Sequence, residues 1–208
     1  WRMQAGWARD SRNDFFAPTA GTFNRIGAEI ALPGSDLEYF KLFYDFSKFW
    51  PINRALVIET RTSLGLGDSY GNTGDAGLPF FENFYAGGPG SLRGFEQNTL
   101  GPVSSLDFGQ NSNFRQSLGG SFKAIGSLEA YFPALFDARG ARLSAFLDFG
   151  NVWKEAREFG SGDLRASTGV ALQWQSPMGP ISISWAAPLR KEDTDRIERL
   201  QFTFGGQF

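Results

Sequence analysis

The chain has 208 residues, rich in Gly (26) and Phe (22), with a net charge of −2 and neither His nor Cys. Imidazole-based catalytic triads, imidazole or thiolate metal sites and a disulfide framework are therefore excluded within it, and its scattered charges leave no footprint for nucleic acid. No run approaches the ~18–20 apolar residues of a membrane-spanning helix, and a mean hydropathy of −0.27 suits either a water-soluble protein or one whose alternate residues face a polar interior.

The first residues, Trp1-Arg-Met-Gln-Ala-Gly-Trp7, already alternate and no signal segment precedes them, so the chain is expected to start inside a strand of a longer secreted protein. Segments 1–9, 22–32, 38–50 and 54–66 continue the alternation loosely. After a long Gly-rich and aromatic stretch it tightens. In 121–132, Phe122, Ala124, Leu128, Ala130 and Phe132 oppose Lys123, Ser127, Glu129 and Tyr131. In 141–151, Leu143, Ala145, Leu147 and Phe149 oppose Arg142, Ser144, Phe146 and Asp148. In 163–176, Leu164, Ala166, Thr168, Val170, Leu172 and Trp174 oppose Arg165, Ser167, Gly169, Ala171, Gln173 and Gln175. Segment 181–187 sets Ile181, Ile183 and Trp185 against Ser182, Ser184 and Ala186, and 196–208 puts Leu200, Phe202, Phe204, Gly206 and Phe208 on one face.

A period of two with Gly and Pro interruptions excludes amphipathic helices. It predicts about nine strands, near the ~9–11 residues that a tilted strand needs to cross a bilayer. A soluble sandwich shows the same period but needs a second layer over the Leu, Phe and Trp faces, and no such elements are visible. The fold expected is therefore all-β: a transmembrane antiparallel β-barrel. Connections around Asp10–Pro18, Trp50–Arg54, Phe132–Gly140 and Trp174–Pro180 each carry an aromatic close to a Pro. Strand parity places all four on one side, in one aromatic girdle. The other side receives Pro33–Asp36, the long loop 67–117, 152–163 and the charged loop 188–196. Lys48 falls on the apolar face, next to the Trp50 turn, where its amine snorkels to the headgroups. An odd strand count leaves an unsatisfied sheet edge in lipid, so further strands are expected before Trp1, with closure by several copies of the chain as the alternative.

Inside the long loop, Pro79–Phe95 carries one charge at its tip, Arg93. A lone Arg among Gly and aromatic residues suits a loop that folds back into the lumen and meets carboxylates there. By alternation, Glu129 and Asp148 point inward from neighbouring strands. Two carboxylates match the planar five-donor fork of a guanidinium, which a Lys cannot reproduce. Three independent solvated charges remain the alternative. Asp193, Asp195 and Glu198 read as a solvated charged loop rather than a cation site, and no cofactor or metal is implied.

The blocks Phe81-Glu-Asn-Phe-Tyr-Ala-Gly-Gly88, Leu92-Arg-Gly-Phe95 and Asn98-Thr-Leu-Gly-Pro102 resemble the sixth extracellular loop of the BamA family. These are the central barrels of the bacterial outer-membrane protein assembly machinery, in a superfamily with two-partner secretion transporters and the assembly and import barrels of mitochondria and chloroplasts. The segments Ile30-Ala-Leu-Pro-Gly-Ser35, Asp148-Phe-Gly-Asn-Val-Trp153, Leu172–Pro180 and Gln201-Phe-Thr-Phe-Gly205 extend the resemblance over nearly the whole chain.

The resemblance implies about the last nine strands of a roughly sixteen-stranded barrel in the bacterial outer membrane, the whole of 1–208 being one barrel domain. It implies that Leu92, Arg93, Gly94 and Phe95 dock against Glu129 and Asp148, a structural and non-catalytic role. It implies that the last strand, with Gly205, Gly206 and Phe208, borders a lateral seam where client strands pair; small residues beneath the girdle are the plainer reading of the two Gly. The implied function is non-enzymatic folding and insertion of outer-membrane proteins. Its implied partners are unfolded clients, accessory lipoproteins, periplasmic POTRA domains and membrane lipid. A pore that translocates one specific secreted protein is the alternative, and a hydrolase is disfavoured by the absence of His.

Overall fold

A computed structural model of the chain describes residues 1–107, 113–133 and 140–205. Nine strands form one antiparallel sheet in chain order: β1 (Arg2–Asp10), β2 (Gly21–Ala31), β3 (Tyr39–Asn53), β4 (Leu56–Ser69), β8 (Phe122–Phe132), β9 (Ala141–Trp153), β10 (Arg165–Ser176), β11 (Gly179–Arg190) and β13 (Leu200–Phe204). The excursion between β4 and β8 holds β5 (Gly94–Phe95), β6 (Val103–Asp107) and β7 (Asn113–Ser117). β5 pairs with β12 (Ile197–Glu198), and β6 pairs with β7. Among the described residues no helix is long and apolar enough to cross a membrane; the only helical pieces described are short 3₁₀ turns such as Phe80–Glu82.

The alternation maps directly onto the two faces. Trp7, Ile26, Leu42, Leu64, Leu128, Leu147, Val170, Trp185 and Phe202 are exposed on one face, while Glu59, Ser127, Glu129, Ser144, Asp148, Ser167, Ser184 and Gln201 are buried on the other. That is the wrong way round for water and the right way round for a barrel wall in lipid. The apolar core therefore lies inside the lumen and not between layers. Ala86, Leu92, Phe95 and Leu100 of the long loop pack on Ile125 of β8 and Val152 of β9, with Ile197 alongside.

The structure departs from the expected boundaries in particular places. β3 continues through Trp50 and Pro51 to Asn53, with a bulge between Pro51 and Asn53, so the tight turn is Arg54–Ala55. Pro51 pairs with Val57, but β2 pairing with β3 ends at Phe49, so Pro51 lies where β3 has one neighbour and a residue without an N–H is tolerated. The long loop starts later than residue 67, because β4 is paired to β3 as far as Ser69. β11 likewise runs on to Arg190. The single last strand expected over 196–208 is divided: Ile197 and Glu198 pair with the loop tip, and only Leu200–Phe204 pairs with β11. Gly206 and Phe208 lie outside the described residues, as does most of the Phe132–Gly140 connection.

Candidate functional site

Three neighbouring strands build the floor on which the loop tip rests. Ser127 of β8, Asp148 of β9 and Ser167 of β10 are cross-strand partners in one row, and Glu129 and Phe146 pair in the next. All five point inward because they share the polar phase of their strands. Arg93 lies over them with only 5% of its surface exposed. Its Nε donates to Asp148 Oδ2 at 2.7 Å and its Nη2 to Asp148 Oδ1 at 2.8 Å, a bidentate pair. Its Nη1 sits 2.9 Å from Glu129 Oε2, and its Cζ lies 3.5 Å from the centroid of the Phe146 ring. The carboxylates are held in turn: Ser127 Oγ donates to Asp148 at 2.6 Å and Ser144 Oγ to Glu129 at 2.5 Å.

The backbone of the tip is fixed as closely as its side chain. The Arg93 N–H donates to Asp148 Oδ2 at 3.2 Å, and its carbonyl accepts from Ser167 Oγ at 2.5 Å. Gly94 adopts φ +90°, and a Cβ there would lie 3.0 Å from Ala186 Cβ, so both conformation and space select Gly. Leu92 and Phe95 are fully buried in the luminal core. Burial works against the charge of Arg93, but hydrogen bonds to Asp148 and the charges of Glu129 and Asp148 more than offset it, and its pKa is raised. The guanidinium stays charged at every accessible pH. Both carboxylates are engaged by the guanidinium, and the geometry is that of a clamp.

Two contacts were not foreseen from sequence. Gln201 of β13, only 3% exposed, accepts from the Gly94 N–H at 3.2 Å and donates to the Phe95 carbonyl at 2.7 Å. With the β5–β12 pairing, the loop tip is thus bonded to the last described strand. The second is Arg165, which binds Asp195 at 2.9 Å and Glu192 at 2.6 Å and ties the loop after β11 to β10. Asp195 is therefore paired rather than solvated, and no group of three potential metal ligands occurs among the described residues. The inward phase marked Gln201 and Arg165, but only the register shows what they face.

Of the seam residues, Gly205 lies just past the end of β13 at φ +84°, its N–H bonded to the Pro180 carbonyl at 2.9 Å. A turn out of extended backbone thus follows Phe204. Beneath Arg93, a cavity of about 550 Å³ opens toward the short turns, lined by Glu59, Arg61, Tyr131 and Arg142 among others.

The Omp85 superfamily domain matches residues 1–208. The chain is 37% identical to the outer membrane protein assembly factor BamA of Neisseria meningitidis, over all of its own length and 29% of that protein's. It is 27% identical to BamA of Nitratidesulfovibrio vulgaris over 97% of itself and 25% of that protein, and 26% identical to the human sorting and assembly machinery component 50 homolog over 96% of itself and 44% of that protein. The chain thus spans less than half the length of each of these relatives. Among solved structures, that of Haemophilus ducreyi BamA lacking POTRA domains 1–3 superposes with a TM-score of 0.85 at 33% identity, covering 97% of this chain and 41% of that one. The chain belongs to the Omp85 superfamily, and its sheet is part of an outer-membrane β-barrel of the BamA type.

Proposed function

We propose that the protein containing this barrel folds and inserts other β-barrel proteins into the bacterial outer membrane, without covalent chemistry and without a cofactor. The observation that carries the proposal is the coupling of two features. A loop tip is clamped in the lumen by Arg93, and the same tip holds the last described strand through Gln201. Among the described residues β13 has five paired residues, and Gly205 after it adopts φ +84°. A last strand whose neighbourhood is shared between β11 and the loop tip is suited to open and pair with an incoming strand.

Unfolded outer-membrane proteins are the substrates in this reading. Accessory lipoproteins and POTRA domains of the same protein are its partners on the periplasmic side, and lipid is its solvent. Support comes from the assembly-factor relatives, which match along the whole chain and not only at the arginine loop. A dedicated secretion pore uses the same loop as a plug. Depleting the protein in its native cell and quantifying the outer-membrane proteome separates the two. A broad fall across unrelated barrels is expected; loss of one exported protein with the other barrels unchanged would overturn the assembly reading.

A further inference from the structure

The outward face of β1–β4 is apolar for most of its height, with one exception near the short turns. Two cross-strand rows there carry polar residues, the second interrupted by Phe46, which pairs with Asn24. Ser11, just past β1, bonds Thr22 through their hydroxyls at 3.0 Å. Thr22 pairs with Lys48, and Lys48 pairs with Thr60. In the neighbouring row Arg9 pairs with Asn24, which accepts a hydrogen bond from the Tyr44 hydroxyl at 3.3 Å. Two cations, Arg9 and Lys48, thus lie on a face that meets lipid. Strand spacing and rise put their Cα atoms roughly 12 Å apart, a gap that two long side chains close.

Neither cation makes an ion pair among the described residues. The acidic residue on this face, Asp68, stands at the opposite end of β4. The Lys48 amine rests 3.5 Å from the centroid of the Trp50 ring, and Trp50 belongs to the aromatic level of the membrane interface. Uncompensated positive charge ringed by hydroxyls and an amide, at headgroup depth, complements a phosphodiester that carries no amine of its own.

We propose that Arg9, Lys48 and the flanking Thr22 and Thr60 form a binding site for the phosphate of an anionic phospholipid in the periplasmic leaflet. Arg9 and Lys48 supply charge, and the hydroxyls donate to the remaining phosphate oxygens. The proposal rests on the barrel reading, with the turns at 11–20 and 54–55 on the periplasmic side, but not on the assembly function.

The test uses the full-length protein in nanodiscs of phosphatidylcholine and phosphatidylglycerol at roughly 4:1, with chain-labelled spin probes of each lipid. A preference of about fivefold per basic residue is expected for motionally restricted phosphatidylglycerol over phosphatidylcholine. The double variant Arg9→Gln/Lys48→Gln should bring that ratio close to one, Lys48→Arg should keep it, and excess inorganic phosphate should leave it unchanged. Restricted lipid with no headgroup preference, or a preference that survives the double variant, overturns the site while leaving the barrel reading intact. Displacement by inorganic phosphate would make the site a free-anion site and overturn the lipid assignment. Absence of restricted lipid of either kind would sink both the site and the barrel reading.

Discussion

Arg93 neutralises two buried carboxylates at once, and that decides what its loss does. Removing it leaves the buried Glu129 and Asp148 without their direct partner, with only the charge of Arg61 acting on them, a change of about 3–5 kcal/mol. Arg93→Ala should therefore release the loop tip, seen as new protease cleavage within 80–105 and a lowered melting temperature. Lys reaches one carboxylate but not the bidentate pair with Asp148, so Arg93→Lys should restore only part of the loss. Wild-type protease resistance in Arg93→Ala would refute the clamp. Glu38 gives a second, pH-dependent case outside the strands. Its carboxylate accepts the N–H of Gly34 at 2.6 Å and of Asn72 at 2.7 Å, which hold its pKa below the ordinary value. A depressed carboxylate pKa stabilises the fold fully above the unfolded value, about 4.3 for Glu. That contribution is lost as pH falls through the lower folded value. Acid should thus loosen the contact between the 33–36 turn and the long loop, and Glu38→Gln should flatten this acid limb of the stability profile. An identical limb in the variant would contradict it.

At the level of elements, β13 is the one whose form departs most from its sequence pattern. Ile197 and Gln201 share one phase, so spacing alone marks no break between them. The break arises because the loop tip competes with β11 for the backbone of Ile197 and Glu198. Such a choice depends on contacts about 100 residues away, which local periodicity does not carry. The other eight long strands were legible because lipid outside and a polar lumen inside impose the same alternation on each. Pro51 illustrates the converse: it reads as a turn locally, yet it stays in β3, paired with Val57 beyond the end of β2. The site shows the same division. Alternation placed Glu129 and Asp148 inward and the lone charge of the loop pointed to Arg93. Ser127, Ser144, Ser167 and Gln201 became distinguishable from other inward polar residues only through register. Two expectations belong to this scale. Gln201→Leu should raise amide exchange both in 92–96 and in β13, whereas an effect confined to β13 would deny the coupling. Gly205→Val places a β-branched residue at φ +84°, a strain of about 1–3 kcal/mol. The backbone should instead straighten, lengthening the β11–β13 pairing and slowing client insertion. Unchanged exchange at 203–205 would argue that the turn has no such role.

Across the whole molecule, the described sheet has two unpaired edges, β1 and β13, and a lumen filled from within by its own loop. A wall that exposes Leu, Phe and Trp while burying Ser, Glu and Asp has no stable existence in water, so the membrane is part of the fold. The loop contributes the core that a barrel otherwise lacks, and the clamp at Arg93 couples that core to the wall. The central claim is that this clamped barrel catalyses the folding of others. The most direct measurement reconstitutes the full-length protein with its partners in liposomes and follows the folding of several unrelated, urea-denatured barrel proteins. The account predicts that the wild type accelerates all of them and that Arg93→Ala loses most of the acceleration while still inserted in the membrane. No acceleration by the wild type, or full activity in inserted Arg93→Ala, would contradict it.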